Sequence, residues 1–299
     1  MLLPRKQPEA NESLGCFQRM ADTMHILQLG DTHWATSRIA PGIDSMARFE
    51  QVCRWIGSIS DPIDWIVHTG DWVHRGHLAT DSGESTRAAW NRLAEIGIPI
   101  VTAIGNHDHR EALSQCFRKH WPDDRELHCI ETQSDRLAYW FTNDTRSDRG
   151  ESLLVLDTRG ATQIDPQGEI CDDQLAAIET LLADPMRRWT IFLHYPPIAL
   201  DCDWIDRTML VRNGMLLHSL FAKNSCRIRG VFFGHIHRPL CCVKDSVLYA
   251  STGSATMHFP NMPRDNQALA QCDPIAFANY ISISQSGTLV KTQWTMLSQ

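Results

Sequence analysis

Short segments rich in Asp, Asn and His follow apolar stretches of this 299-residue chain, and their order constrains the fold more than any other feature. The segments, in chain order, are Gly30-Asp31-Thr32-His33, Gly70-Asp71, Gly105-Asn106-His107-Asp108, His194 and Gly234-His235-Ile236-His237. Apolar stretches typical of buried strands precede several of them, at residues 25–29, 65–67 and 228–233. Rigid strands are therefore expected to hold these polar residues together in one cavity.

The residue types point to a metal site. In an extended chain residues i and i+2 face the same side, so Asp31 with His33, and His235 with His237, can each present two ligands to one cavity. A Gly before each ligand lets the backbone turn sharply. Imidazoles, carboxylates and an amide without thiolates suit Mn, Fe, Zn or Ni. The sequence therefore bounds the metal without fixing it.

On these motifs the chain resembles the calcineurin-like metallophosphoesterases, and within them the bacterial class III cyclic nucleotide phosphodiesterases and glycerophosphodiesterases. The resemblance covers residues 24–259 and keeps the order of the motifs. It extends to the blocks between the motifs, which are Leu156-Asp157-Thr158, Gly168-Glu169-Ile170, Gln174-Leu175 and His194-Tyr195-Pro196-Pro197. The fold that it implies is α/β, a four-layer αββα sandwich of two mixed β-sheets with flanking helices.

The resemblance also implies two divalent or trivalent metal ions, Mn, Fe or Zn, and a ligand set for each. The first ion is assigned to Asp31, His33, Asp71 and His237. The second ion is assigned to Asp71, Asn106, His194 and His235. Asp71 is thus expected to bridge ions about 3.5–4 Å apart, the separation typical of two-metal hydrolases.

The resemblance predicts hydrolysis of a phosphate ester by a hydroxide that bridges the metals. His107 is expected to act as the general acid on the leaving oxygen, and Asp108 to orient its imidazole. His74, Arg75 and His77 follow Asp71 in a loop expected at the mouth of the cavity. There, a cation could meet the substrate phosphate. The remaining histidines are interpreted as surface or core residues.

Composition indicates a cytoplasmic enzyme with a small substrate. A net charge of −7 and a pI near 6.0 argue against nucleic-acid and anionic-membrane partners. The ten cysteines are scattered, which is typical of a reducing compartment, and no stretch approaches the roughly 20 apolar residues of a membrane span. Residues 1–23 have no signal-peptide pattern and are expected to be a poorly ordered extension. Residues 24–299 are expected to form a single domain.

Periodicity predicts alternating helices and strands. Helices are expected at residues 44–59, 84–96, 109–119, 172–182 and 208–221, and late strands near 246–251, 279–284 and 288–294. Residues 260–272 are polar and contain Pro, which predicts a loop near the site or an oligomer contact. A homodimer is left open.

Several alternatives compete with a cyclic nucleotide phosphodiesterase. The family also includes glycerophosphodiesterases, phosphomonoesterases and protein phosphatases, but the protein phosphatases have Asp where this chain has His74, and Gly where it has Trp34. A noncatalytic scaffold is the remaining alternative. Scaffold members tend to lose the general acid or the ligands, whereas His107 and every ligand are present here. The sequence therefore favours catalysis without naming the substrate.

Overall fold

Two β-sheets lie face to face between two layers of helices. The computed structural model describes residues 23–39, 43–78, 80–143, 150–160, 166–267 and 273–297. Five strands, in the order β12-β11-β1-β2-β3, form the first sheet. They are β1 (Met24–Leu29), β2 (Trp65–His68), β3 (Ile100–Thr102), β11 (Ile275–Ser284) and β12 (Gly287–Met296).

The second sheet has seven strands in the order β4-β5-β6-β7-β8-β10-β9. Its strands are β4 (His128–Cys129), β5 (Tyr139–Thr142), β6 (Gly150–Val155), β7 (Arg187–Phe192), β8 (Ile228–Phe233), β9 (Leu240–Lys244) and β10 (Val247–Ser251). Parallel and antiparallel pairs occur in both sheets. Both sheets are therefore mixed, as expected.

The described residues contain six α-helices. They are α1 (Ser45–Gly57), α2 (Glu84–Ala94), α3 (Arg110–Lys119), α4 (Asp172–Ala183), α5 (Asp203–Thr208) and α6 (Gly214–Lys223). Asp44 caps α1 by accepting a hydrogen bond from the Ala47 nitrogen at 2.9 Å. The same helix buries Phe49, Val52 and Ile56, which share one face at helical spacing. No helix of the described residues is long and apolar enough to cross a membrane.

Apolar side chains fill the spaces between the four layers. Phe141 and Phe192 of the second sheet belong to the same cluster as Ile26 and Ile66 of the first sheet. On the outer side of the second sheet, a separate cluster includes Ile178 of α4 and Leu217 of α6. Each sheet thus buries both faces, which confirms the αββα sandwich.

The parallel strands place their carboxyl ends at one edge of the sandwich. β1, β2 and β3 are parallel neighbours in the first sheet, and β7 and β8 are parallel neighbours in the second. Each of these five strands is followed directly by one of the polar segments. Open α/β sheets hold their ligands beyond the carboxyl ends of the strands. The fold therefore gathers the polar segments from distant parts of the chain.

One predicted helix is wrong. Residues 208–221 are not continuous helix, because α5 ends at Thr208 and α6 begins only at Gly214. Between them the Val211 nitrogen donates to the Pro196 carbonyl at 3.0 Å, a bond that replaces a helical one. The carbonyl of Pro197 lies only 2.4 Å from where a Cβ at Gly214 would be, so the helix begins against another backbone segment.

The other predicted elements are confirmed to within a few residues, and β11 and β12 are longer than expected. Of the predicted N-terminal extension, residues 1–22 lie outside the described residues, as do residues 268–272 of the predicted loop. The single-domain prediction over 24–299 stays a prediction.

Candidate metal centre

Donor atoms from the predicted ligands lie together as two groups. The first group consists of Asp31, His33, Asp71 and His237, and one donor atom of each residue lies within 4.8 Å of the donor atoms of the other three. The second group meets the same distance limit with Asp71, His194 and His235. Asp71 belongs to both groups. All six side chains are buried.

Asn106 completes the second group. Its Oδ1 lies 3.1 Å from His194 Nε2, and the residue is buried. His194 Nε2 also lies 3.5 Å from Asp71 Oδ2, and His33 Nε2 lies 3.5 Å from the same oxygen. One carboxylate oxygen of Asp71 is therefore equidistant from an imidazole of each group.

Backbone carbonyls fix which nitrogen three of the histidines present. His194 Nδ1 donates to the Thr69 carbonyl at 2.8 Å, and His237 Nδ1 donates to the Met257 carbonyl at 3.0 Å. His235 Nε2 donates to the Pro166 carbonyl at 2.7 Å. When each ring is neutral, its other nitrogen therefore carries the lone pair that metal ligation requires.

The donor set fits metal ions. A pair of groups that share a carboxylate, with three imidazoles held in the ligating tautomer and no thiolate, suits two borderline or hard cations. His33 Nε2 and His237 Nε2 lie 3.1 Å apart, close enough for one ion to be bound by both imidazoles. The geometry therefore could hold two metal ions.

The backbone at the ligands is left-handed rather than extended. Positive φ angles occur at Asp31 (54°), His33 (44°), Asp71 (58°), His235 (69°) and His237 (55°). The sequence-based expectation that an extended chain turns residues i and i+2 to one side is therefore wrong. The side chains do come together, but not through an extended backbone. The paired ligands reach one cavity because both backbones adopt a conformation that costs a residue with a side chain roughly 1–2 kcal/mol.

Two glycines allow the loops to approach each other. A Cβ at Gly105 would lie 2.1 Å from Asp71 Oδ1 and 2.4 Å from the Asp71 nitrogen. Gly70 has a φ of 98°, and a Cβ there would lie 2.6 Å from the Gly105 nitrogen. Only glycine fits where the Asp71 carboxylate meets the neighbouring loop.

Asp108 does not contact the His107 imidazole, contrary to the prediction. Its two carboxylate oxygens accept from the backbone nitrogens of Gly105 (2.8 Å), Asp71 (2.9 Å) and Trp72 (2.7 Å). These amides point inward at the sheet edge and need an acceptor, so they take both oxygens. Asp108 therefore joins two of the ligand loops.

His107 is instead held by the loop after β2. Its Nδ1 donates to the His74 carbonyl at 2.6 Å, and its ring lies 4.8 Å from the His33 ring. The His107 backbone nitrogen donates to Asp71 Oδ1 at 2.9 Å. His107 thus lies beside the first group with Nε2 as its available nitrogen.

The three residues predicted to contact substrate differ in position. His74 is half-buried, and its ring stacks on that of His107 with 5.3 Å between centroids. His77 is half-buried with its ring 5.4 Å from His107. Arg75 is exposed. Only the two histidines therefore contact the residues at the centre.

Burial and mutual attraction set the charges of the groups. Burial raises the pKa of the Asp31 carboxyl to about 8 and lowers that of His237 to about 3. Burial disfavours the charged forms of Asp71 and His194 as well, but the electrostatic attraction between these two side chains outweighs it. This attraction holds the pKa of Asp71 well below its usual range and raises that of His194 to about 9.

Two residues near the centre were missed by sequence reasoning. The Tyr195 ring packs 4.5 Å from the His235 ring, and Arg159 Nη1 donates to the Asp108 carbonyl at 2.7 Å. Both lie in or beside blocks that resemble the family between its motifs. That position was the available signal, although neither residue type is diagnostic alone.

Comparisons with known proteins agree with this geometry. The family model described as calcineurin-like phosphoesterase matches residues 24–239. A "Probable cyclic nucleotide phosphodiesterase" of Vesicomyosocius okutanii is 23% identical over 90% of this chain and 98% of its own. The "3',5'-cyclic adenosine monophosphate phosphodiesterase CpdA" of Escherichia coli is 29% identical over 73% of this chain and 70% of its own.

A solved structure shares the fold. The crystal structure of a dimetal phosphatase from Danio rerio matches with a TM-score of 0.63 at 14% identity, covering 93% of this chain and all (100%) of that one. The match to the family model spans every polar segment from Asp31 to His237. The chain therefore belongs to the calcineurin-like phosphoesterase family.

Proposed function

We propose that the protein is a dinuclear-metal phosphodiesterase that hydrolyses a small substrate such as 3',5'-cyclic AMP. Its family membership makes it a metal-dependent phosphoric ester hydrolase. The observation that carries the two-metal proposal is the position of Asp71, whose carboxylate belongs to both donor groups. A single ion would leave one of these buried groups without a cation.

The proposed ligands divide as the donor groups do. Asp31, His33, Asp71 and His237 would hold one ion, and Asp71, Asn106, His194 and His235 the other. When bound, the ions supply Lewis-acid activation of water and of the phosphoryl group. The protein fixes the donor positions through the carbonyl bonds to the imidazoles and through Asp108, so little reorganisation is needed during the reaction.

His107 is the proposed general acid. Its Nδ1 is committed to the His74 carbonyl, so Nε2 is the nitrogen that can carry and release a proton. The bond from its backbone nitrogen to Asp71 places it beside the shared carboxylate. A proton from Nε2 to the departing alkoxide removes the need to expel a strongly basic leaving group.

The names of the relatives support the choice of substrate. Proteins 23–29% identical to this chain over most of its length are named cyclic nucleotide phosphodiesterases. Glycerophosphodiesters and phosphomonoesters are the competing substrates, and a panel of all three classes separates them. Metal-reconstituted protein is expected to hydrolyse 3',5'-cyclic AMP with the highest kcat/KM. A higher kcat/KM for glycerophosphodiesters or for phosphomonoesters would overturn the substrate assignment but not the assignment of the protein as a phosphoric ester hydrolase.

The proposed compartment is the cytoplasm. All eight cysteines in the described part of the chain are free thiols, including the exposed Cys129, Cys226 and Cys241. Exposed thiols persist where the environment is reducing, which supports this location. The proposed partner is the small substrate alone, and a homodimer stays a prediction.

A further inference from the structure

A guanidinium group lies beside the proposed general acid. Arg159 donates from Nη1 to the carbonyl of Asp108, the residue directly after His107, at 2.7 Å. The side chain is half-buried. Among the residues that the structure describes, no carboxylate forms an ion pair with it. A half-buried guanidinium has five N–H donors, so donors beyond the one bound to Asp108 can bind an anion or another oxygen acceptor.

The backbone that carries Arg159 is held at several points. Its nitrogen donates to Asp157 Oδ1 at 3.1 Å, and its carbonyl accepts from Arg136 Nη1 at 2.5 Å. Gln174 bonds both backbone groups of Asp157, at 3.0 Å to the nitrogen and 2.8 Å to the carbonyl. The guanidinium is therefore positioned before any substrate arrives, which lowers the entropy cost of binding.

His77 supplies a second polar group near His107. The His77 backbone nitrogen donates to the His107 carbonyl at 3.1 Å. Its Nδ1 is buried and has no hydrogen-bond partner among the described residues. Buried polar atoms are nearly always satisfied, so an unpartnered one beside a proposed active site indicates a missing ligand or water. His77 and Arg159 thus bind consecutive carbonyls of one loop, those of His107 and Asp108.

We propose that Arg159 and His77 form a subsite for the alcohol part of the substrate. The proposal rests on the proposed function, because it takes His107 as the group that protonates the leaving oxygen. Side chains next to His107 then face the departing alcohol. A guanidinium and an imidazole both donate to oxygen acceptors. The subsite therefore selects alcohols with further oxygens, such as the ribose of a nucleotide or glycerol, over plain aryl alcohols.

The test compares two substrates with the Arg159→Ala variant. For the cyclic nucleotide or glycerophosphodiester that the wild type hydrolyses, KM is expected to rise about 10–100-fold with little change in kcat, the effect of losing a charged hydrogen bond. For bis-nitrophenyl phosphate, whose alcohols lack hydroxyl groups, KM is expected to change by less than about threefold. Arg159→Lys keeps the charge without the planar fork, so an intermediate KM is expected.

Controls separate the subsite from general damage. Arg54→Ala removes an exposed arginine of α1 and should leave both substrates unaffected. Loss of the bond to Asp108 could disturb the metal ligands, so metal content is measured for each variant. Arg159→Gln keeps a donor for the Asp108 carbonyl without the charge. If the alanine variant loses metal, the two substrates are compared with the glutamine variant instead.

Three results would count against the subsite. Equal loss on both substrates would place Arg159 on the phosphoryl group and overturn the proposal, as would no loss on either. If the metal-loaded wild type hydrolyses no phosphate ester, the proposed function fails and the subsite with it. An active wild type with an unchanged Arg159→Ala variant removes only the subsite.

Discussion

The Asp108 carboxylate accepts a hydrogen bond from the Asp71 backbone nitrogen, with 2.9 Å between Asp108 Oδ2 and that nitrogen. The same carboxylate accepts from Gly105 and Trp72. Asp108 thus positions the residue that belongs to both donor groups, although it belongs to neither.

Asp108→Asn is expected to weaken metal binding. Asparagine has one acceptor oxygen, so its NH₂ group would face at least one of the buried backbone amides. We expect metal affinity to fall about 10–100-fold, the range for residues that orient ligands, and the Tm to fall as well. Metal titration and thermal unfolding measure both effects. Asp135→Asn, at an exposed position, is the matched control, and an unchanged affinity in Asp108→Asn would contradict the positioning role.

Asp71→Ala is expected to lose more metal than His33→Ala. The wild type should contain two ions per chain and lose activity to chelators, because Asp71 contacts both donor groups whereas His33 contacts one. Elemental analysis of the purified proteins gives the metal content. Equal retention in the two variants would argue against the bridging role, and full activity with one ion would overturn the two-metal proposal.

His107→Ala is expected to keep both metals and the fold but slow catalysis. A general acid contributes about 10²–10⁴-fold, so hydrolysis of esters with sugar or glycerol leaving groups should slow by that factor. Bis-nitrophenyl phosphate should suffer much less, because nitrophenolate departs without a proton. Steady-state kinetics on both substrates decide it. If His107→Ala slows hydrolysis of both substrate types equally while its metal content is intact, His107 is not the general acid.

Metal binding is expected to release protons at neutral pH. Burial raises the pKa of Asp31 to about 8, and attraction to Asp71, outweighing burial, raises that of His194 to about 9. Both groups therefore hold protons at pH 7 in the metal-free protein and must lose them to ligate a metal. His237, with a pKa lowered by burial to about 3, is already neutral.

The sign of the pH dependence follows from this competition. Apparent metal affinity should rise as pH increases from about 6 toward 9, because fewer protons remain to be displaced. Calorimetric titration of the metal-free protein with Mn²⁺, in two buffers of different ionisation enthalpy, measures the protons released. An identical heat in both buffers at pH 7 would show that no proton leaves and would contradict the prediction.

Gly105→Ala is expected to abolish metal binding. The added methyl group would lie 2.1 Å from Asp71 Oδ1, so the carboxylate or the loop must move. Gly57→Ala is the control, since a Cβ there meets no atom within 4 Å and alanine favours the helix of α1. Metal content and the Tm of both variants test the contrast. Retention of two ions by Gly105→Ala would show that the loop moves to accommodate the methyl group, and would contradict the prediction.

The grouping of the donor residues could be predicted because it depends on residue type and on order along the chain. Asp31, His194 and His237 follow strands whose apolar character is visible in the sequence, and parallel pairing brings such strand ends together. The role of Asp108 could not be predicted, because it depends on which backbone amides face inward. Arg159 escaped notice because a single arginine after a strand has no distinguishing pattern.

The interrupted helix around Val211 shows a similar limit. Its residues have acceptable helix propensity, so periodicity predicts one helix over 208–221. The competing bond from the Val211 nitrogen to the Pro196 carbonyl joins residues 15 positions apart, and is visible only once the chain has folded. Tertiary contacts commonly override local preference in this way.

The left-handed backbone at the ligands has a consequence for how this protein diverges. Glycine relieves that conformation, so replacing a proposed ligand such as His33, His235 or His237 by glycine would partly stabilise the fold while removing a metal donor. Descendants that abandon catalysis but retain the sandwich should therefore accumulate glycine at these positions first, which makes such glycines markers of lost activity.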